Sequence, residues 1–299
     1  MRREFEYSVM DVFAERALEG NPLAVFHDGR GLSDEEMQAL AREMNLAETT
    51  FILPSDDERD GVRVRIFTTQ EELPFAGHPT LGTASWLYLN HTVLRGAESI
   101  TLRLNVGPIP VRFEGGDATA GVVGTMRQND PVFGATYDRA EVAAAIGLRA
   151  EDLSAEHAPQ TVSTGMPFCI VLLRSMEVAR GLQMAQREAA AWLAKSCAKF
   201  FYCIAATEAR DAGEAAFHGR MQFYGGEDPA TGSAAGCCIS WLVQHGLVQA
   251  DVPVVIEQGI EIRRPSRITV QASAEAGRIH YVRVSGRTIP VASGAFFLP

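Results

Sequence analysis

Three titratable residues stand out for their type and surroundings. Glu48 lies in the polar insertion Asn45-Leu46-Ala47-Glu48-Thr49-Thr50, between a helical stretch and the apolar Phe51-Ile52-Leu53. His78 lies in the turn Ala76-Gly77-His78-Pro79, and Asp228 in the loop leading to Thr231-Gly232-Ser233-Ala234. Carboxyl and imidazole groups are the usual general acids and bases of proteins. Each also has a plainer reading, as a solvated surface glutamate, a satisfied structural histidine or a turn-capping aspartate. The two turns carry a second chemistry. Each precedes an apolar helical stretch, and a helix start offers unpaired N–H groups and the positive end of its dipole to a carboxylate or phosphate. Gly77 and Gly232 allow close approach to the backbone, and Pro79 suits a first helical turn, where its missing N–H costs nothing. His78 and Ser233 read alternatively as simple N-caps.

An internal repeat separates these readings. Displaced by 155 residues, Arg65–Leu87 lies over Arg220–Leu242 with seven identities in 23 positions. Arg65 meets Arg220, Glu72 meets Glu227, Pro74 meets Pro229, Gly77 meets Gly232, and Ser85-Trp86-Leu87 meets Ser240-Trp241-Leu242. Each copy reads as a strand, a loop with proline, a turn built on glycine and an apolar helix. Two similar domains follow, 1–128 and 129–299, with the last residues able to return to the first. The boundary is expected near Met126–Ala135, where Asn129-Asp130-Pro131 and Gly134 interrupt the pattern. The two helix starts then fall at equivalent points and read as a pair of anion-binding starts.

The elements that must position these residues are mostly strands. Alternation or β-rich composition marks Val62–Phe67, Ile100–Leu104, Val162–Leu173, Phe200–Ala206, Phe217–Tyr224, Pro253–Glu257, Ile268–Ala272 and Ile279–Val284. Helices are fewer. Ser33–Met44 opens with a capping box of Ser33 and Glu36, Asp138–Ile146 stops at Gly147, and Ala185–Ser196 is rich in alanine. Two more are expected to begin near Pro79 and Ala234. Many strands and few helices indicate an α+β fold.

Composition limits the partners. With 46% hydrophobic and 21% charged residues, 299 residues supply two cores. A net charge of −10 argues against nucleic acid and anionic membrane surfaces, which call for clustered Lys and Arg. The start, MRREFEYSVMDVF, has no apolar stretch resembling a signal peptide, and no apolar run is long enough to span a bilayer. Five cysteines without regular spacing read as reduced cytosolic thiols, and no Cys/His cluster has metal-ligand spacing. Cys237 and Cys238 read as packing residues. No GxGxxG or P-loop supports a nucleotide cofactor, and Lys195 and Lys199 read as ordinary surface charges, so no cofactor is expected.

Four longer motifs carry a family resemblance. Gly20-Asn21-Pro22-Leu23-Ala24-Val25, Asn45-Leu46-Ala47-Glu48-Thr49, Phe75-Ala76-Gly77-His78-Pro79-Thr80-Leu81-Gly82 and Glu227-Asp228-Pro229-Ala230-Thr231-Gly232-Ser233-Ala234 resemble those of the PhzF-like family, in the family's order. Ser163-Thr164-Gly165 and the terminal Ser285-Gly286-Arg287…Gly294 extend the match. The resemblance implies the diaminopimelate epimerase fold, two pseudo-symmetric lobes, each a curved, mostly antiparallel sheet around a central helix. It implies a cofactor-independent isomerase, like the phenazine-biosynthesis enzyme acting on trans-2,3-dihydro-3-hydroxyanthranilate, and a homodimer. Carried across, Glu48 matches the proton-shuttling carboxyl and His78 and Asp228 its polar partners. Gly77, Gly232 and Ser233 match the positions that hold the substrate carboxylate. Related racemases head each turn with a cysteine; here those positions are Ala76 and Thr231, which disfavours two-thiol chemistry. The segment Arg220–Gly226 is shorter than in many relatives, which bears on the substrate rather than on the proton chemistry. Rival readings are an isomerase or epimerase of another small amino- or hydroxy-carboxylate, and a non-catalytic binder of such a molecule.

Overall fold

A computed structural model describes residues 2–54, 60–209, 211, 213–223 and 226–299. The chain divides into two compact units, Met1–Arg127 with Ser285–Pro299, and Gln128–Val284.

In the first unit, β1 (Arg3–Val12) pairs antiparallel with β2 (Asn21–Phe26). Helix α1 (Asp34–Met44) then crosses over to β3 (Glu48–Leu53), which lies parallel to β2, as a parallel pairing demands an intervening crossover. Next come β4 (Val62–Thr68), the short β5 (Glu72–Leu73), α2 (Gly77–Asn90), β6 (Ser99–Leu104), β7 (Gly107–Asp117) and β8 (Gly121–Arg127). The ladder runs β1-β2-β3-β4-β6-β7-β8, and residues 288–298 of β18 (Arg278–Leu298) pair with β1, closing it into a barrel.

Helix α2 fills that barrel. Its residues from Gly77 to Leu87 are all buried, as expected of a helix that is apolar all round. Gly82 permits the close packing: a Cβ there would meet Leu23 Cδ2 at 2.6 Å and Val12 Cγ2 at 2.8 Å. On the opposite face of the sheet, α1 buries Met37, Leu40 and Ala41 against Phe26, Phe51 and Phe67. Strand β3 is therefore covered on both faces. Thr50 reaches inward, its hydroxyl 2.8 Å from that of Thr83 on α2, while Phe51 packs toward α1.

The second unit contains β9 (Val132–Thr136), α3 (Arg139–Ile146), β10 (Gln160–Ser163), β11 (Pro167–Leu172), α4 (Met176–Gly181), α5 (Gln186–Leu193), β12 (Phe200–Ala206) and β13 (Ala215–Arg220). The β14 (Gln222–Phe223) and β15 (Gly226–Glu227) pair follows, then α6 (Gly232–Gln244), β16 (Val254–Gln258) and β17 (Ser266–Glu275), with β18 beside β17. Its pairings repeat the order and sense of the first unit: β10–β11 antiparallel, β11–β12 parallel, β12–β13 antiparallel, β13–β16 parallel and β16–β17 antiparallel. Helix α6 is buried from Gly232 to Leu242, and α3, α4 and α5 cover the outer face of β11 and β12.

The Ser33–Glu36 capping box forms, and Asp138 and Gly147 bound α3. Three expected elements differ. The apolar run Val162–Leu173 is two antiparallel strands, turned at Gly165, whose φ is 141°. The strand expected at Phe217–Tyr224 ends at Arg220, and Tyr224 lies outside the described residues. The strand expected to stop at Val284 continues to Leu298.

Candidate active site

Glu48 is delivered by the end of α1. Asn45 takes the left-handed conformation (φ 51°, ψ 34°) and returns its N–H to Ala41 O, which stops the helix; asparagine tolerates this conformation better than most residues. Three residues later Glu48 opens β3, opposite Leu23 of β2 and Thr68 of β4. Its side chain is 9% exposed and faces that of His78, at 3%. His78 Nε2 lies 3.5 Å from Glu48 Oε2.

The other nitrogen of His78 is fixed by Asn21. The Asn21 amide donates from Nδ2 to His78 Nδ1 over 3.1 Å. A ring nitrogen that accepts carries no proton, so the neutral imidazole holds its hydrogen on Nε2, toward Glu48. Burial lowers the His78 pKa to about 3, which keeps the ring neutral. Asn21 begins β2 directly after Gly20, whose φ is 68° and whose missing Cβ leaves room for Val12 O. The Gly-Asn sequence thus serves both backbone turn and ring tautomer.

His78 is the second residue of α2. The N-cap is Ala76, so no side chain caps this start, and the Thr80 N–H and hydroxyl both return to Ala76 O. Neither His78 nor Ser233 is an N-cap.

In the second unit, Thr231 is the N-cap of α6, and again no side chain caps the helix. The Thr231 hydroxyl donates instead to Asp228 Oδ2 at 2.5 Å. Gln258 holds this pair: its Nε2 donates to Thr231 Oγ1 (2.9 Å) and Asp228 O (2.8 Å), and its Oε1 accepts from Thr231 N (3.2 Å) and from the Tyr202 hydroxyl (3.2 Å). Asp228, Thr231 and Ser233 are buried. Gly232 O accepts from Gln128 Nε2, itself held through Oε1 by the Thr164 hydroxyl.

The fold therefore gathers Glu48 with His78 at the start of α2, and Asp228 with Gly232 and Ser233 at the start of α6. Sequence reasoning passed over Asn21, Tyr202, Gln128 and Gln258. A signal existed for Gln258, which occupies an inward position after Val254 and Ile256 on an alternating strand. Of the cysteines, Cys197 is exposed and the other four are buried. Burial pushes Cys237 up to about 11 and raises Cys238 well above the ordinary thiol value. Within Arg220–Gly226, Tyr224 and Gly225 lie outside the described residues. Among the described residues, no group of three or more His, Cys, Asp or Glu side chains has metal-holding geometry, and no helix is long and apolar enough to cross a membrane.

Comparison with known proteins gives this geometry its context. The phenazine biosynthesis-like protein family matches residues 10–294. The trans-2,3-dihydro-3-hydroxyanthranilate isomerase of Pseudomonas aeruginosa is 36% identical over 98% of this chain and 99% of its own. An uncharacterized isomerase of Mesorhizobium japonicum is 34% identical, covering 98% of each. Among solved structures, a predicted epimerase from Pseudomonas aeruginosa superposes with a TM-score of 0.83 at 38% identity, over 98% of this chain and 99% of that one. A hydroxyproline epimerase of Agrobacterium vitis shares the fold at a TM-score of 0.69 and 12% identity, over 100% of this chain and 94% of that one. With the whole-length family match and relatives named as isomerases, the chain belongs to the phenazine biosynthesis-like family and is an isomerase.

Proposed function

We propose that the protein moves a proton between carbon atoms of a small carboxylate, with Glu48 as the group that removes and returns it. The observation that carries this reading is the buried Glu48 carboxyl held against a neutral His78 whose proton is directed by Asn21. The His78 Nε2–H faces the Glu48 carboxyl across 3.5 Å. Positioned proton transfer of this kind supplies about 10²–10⁴-fold, and fixed dipoles and exclusion of water supply more. Gly77 at the start of α2 offers backbone N–H groups to an anion. Asp228, Gly232 and Ser233 take the remaining polar roles toward the substrate on the family resemblance. Ala76 and Thr231 stand at the heads of α2 and α6 and leave no thiol there for two-thiol racemisation.

The relative's substrate, trans-2,3-dihydro-3-hydroxyanthranilate, is the first candidate, and another small amino- or hydroxy-carboxylate the second. We read the two units as two copies of the diaminopimelate epimerase lobe, each a sheet around a central helix; the repeated order and sense of pairing support this. The test is turnover in D₂O followed by NMR. Deuterium should enter the isomerised product, and Glu48→Gln should cut turnover at least about 10²-fold while ligand binding persists. Near-normal turnover by that variant would remove Glu48 from the role. Binding without any solvent exchange would leave only a binder.

A further inference from the structure

Asp228 sits in a chain of hydrogen bonds whose direction is fixed along its length. It begins at Tyr202, a fully buried residue of β12 whose hydroxyl donates to Gln258 Oε1 at 3.2 Å. Room for that hydroxyl exists because β13 carries Gly219, where a Cβ would stand 2.6 Å from the Tyr202 oxygen. Gln258 is also fully buried. Its amide is fully committed: Oε1 accepts from Tyr202 and from Thr231 N–H, and Nε2 donates to Asp228 O and to Thr231 Oγ1. The last of these settles the hydroxyl. With an N–H pointing at Oγ1, that oxygen is an acceptor from Gln258, and its own hydrogen is free only to donate. It donates to Asp228 Oδ2 over 2.5 Å, a length in the range of charge-assisted O–H···O⁻ bonds.

Thr231 occupies the N-cap position of α6, yet its side chain makes no cap hydrogen bond to the helix. A threonine at the N-cap ordinarily turns its oxygen to the helix N–H groups. Here Gln258 and Asp228 take it instead, and the start of α6 is left without a side-chain cap.

We propose that Thr231 and Gln258 are positioning residues that hold the Asp228 carboxylate in one orientation, with Tyr202 fixing Gln258 in turn. The inference rests on the assignment of Asp228 to the substrate site. Gln258 prevents the Thr231 hydroxyl from rotating toward the helix, so Asp228 Oδ2 is held in place.

Two kinds of measurement test this. Crystal structures of the Thr231→Val and Gln258→Leu variants report directly on the carboxylate. Asp228 should leave its wild-type rotamer in Thr231→Val, and in Gln258→Leu the Thr231 hydroxyl should turn to the N–H groups of α6. Should Gln258→Leu fail to fold, Thr231→Val, which exchanges a hydroxyl for a methyl of similar size, decides alone. Asp228 unmoved in Thr231→Val would overturn the inference whether or not any substrate is turned over. The second measurement is kinetic, with trans-2,3-dihydro-3-hydroxyanthranilate. Thr231→Val should lower kcat about ten- to a hundredfold, the range set by one charge-assisted hydrogen bond, with KM changed far less, and Thr231→Ser should restore it. A loss in Thr231→Val that Thr231→Ser does not restore, or one that falls on KM alone, would count against positioning. If the wild-type enzyme leaves this compound unchanged while Asp228 moves as described, the proposed substrate fails and the positioning role stands.

Discussion

Raising the pH should release a defined part of the stability of the second unit, through His218. This residue lies on β13, 1% exposed, between two carboxylates: Nδ1 is 3.0 Å from Glu257 Oε1 and Nε2 is 2.9 Å from Glu261 Oε1. Two acceptors facing both nitrogens fit only the imidazolium, which donates from each. Burial alone would lower the pKa, but the hydrogen bonds and charges of Glu257 and Glu261 outweigh it and raise the value from 6.5 to about 9. A folded-state pKa above the unfolded one means that the native protein binds more protons between the two values. The stabilisation is thus complete below about pH 6.5 and lost as pH rises through 9. At 1.36 kcal/mol per unit the difference amounts to about 3 kcal/mol. Denaturant unfolding at pH 6, 7, 8, 9 and 10, for wild type and His218→Gln, measures it. The wild type should lose about 1 kcal/mol per pH unit across the upper part of this window, and the variant should lack that slope. Parallel curves for the two proteins between pH 7 and 9 would show that His218 is not held as the cation. At the acid end the sign reverses. Burial would raise Glu261, but its bonds to His218 hold it below the ordinary carboxylate value, so that contribution disappears as pH falls through the acid range.

Two further outcomes follow from the site. Asn21→Asp replaces a donor by an acceptor at His78 Nδ1, which draws the ring proton away from Glu48; turnover should fall about ten- to a hundredfold, and ring ¹⁵N shifts should report a changed tautomer. A wild-type ring protonated on Nδ1 would contradict the assignment. Iodoacetamide should label the native enzyme once, at the exposed Cys197, and leave activity intact, since the other four thiols are buried; intact-mass measurement reads the count, and labelling of Cys237 with loss of activity would point to a missed thiol role.

Much of the frame was legible because local chemistry and burial agree. The Ser33–Glu36 box and Gly147 mark helix ends by satisfying or releasing backbone groups, and Phe200–Ala206 is a strand over the whole expected range. The errors arose where one local signal had two meanings. Val162–Leu173 is apolar enough to read as one strand, yet Thr164-Gly165 turns it back on itself. The strand expected over Ile279–Val284 runs on through Ser285-Gly286-Arg287 inside β18, where Gly286 makes room for the Phe13 ring. The site was harder still. Glu48 and His78 are 30 residues apart, and Asn21 and His78 57 apart; only the parallel pairing of β2 with β3 and the burial of α2 bring the three together. No property of Asn21 alone separates it from an ordinary turn residue.

The repeat explains why the shared residues are shared. Arg65 and Arg220 each make a two-pronged bond to a glutamate seven residues on, Glu72 and Glu227, and so tie the strand to the loop that leads into the central helix. Arg65 also reaches Asp34 in the first turn of α1, while Arg220 donates to Ala179 O and Leu182 O at the end of α4. In both units the guanidinium thus joins strand, loop and outer helix, and a lysine, with no fork, does not reproduce the arrangement. Ser85 and Ser240 likewise each bond the carbonyl four residues back. The identities therefore fall on the frame. The side chains of the candidate site fall where the copies differ: Asp228 stands opposite the buried Leu73, Thr231 opposite Ala76 and Ser233 opposite His78, and Glu48, three residues before the partner of Arg65 on β3, corresponds to Phe200, three before the partner of Arg220 on β12. One frame, used twice, has been given a carboxylate–imidazole pair at the start of α2 and a carboxylate–hydroxyl pair at the start of α6. A racemase moving a proton between the two faces of one carbon calls for two like bases. Two unlike pairs give no matched bases at the two helix starts, in keeping with the proposal that a single carboxyl, Glu48, carries the proton.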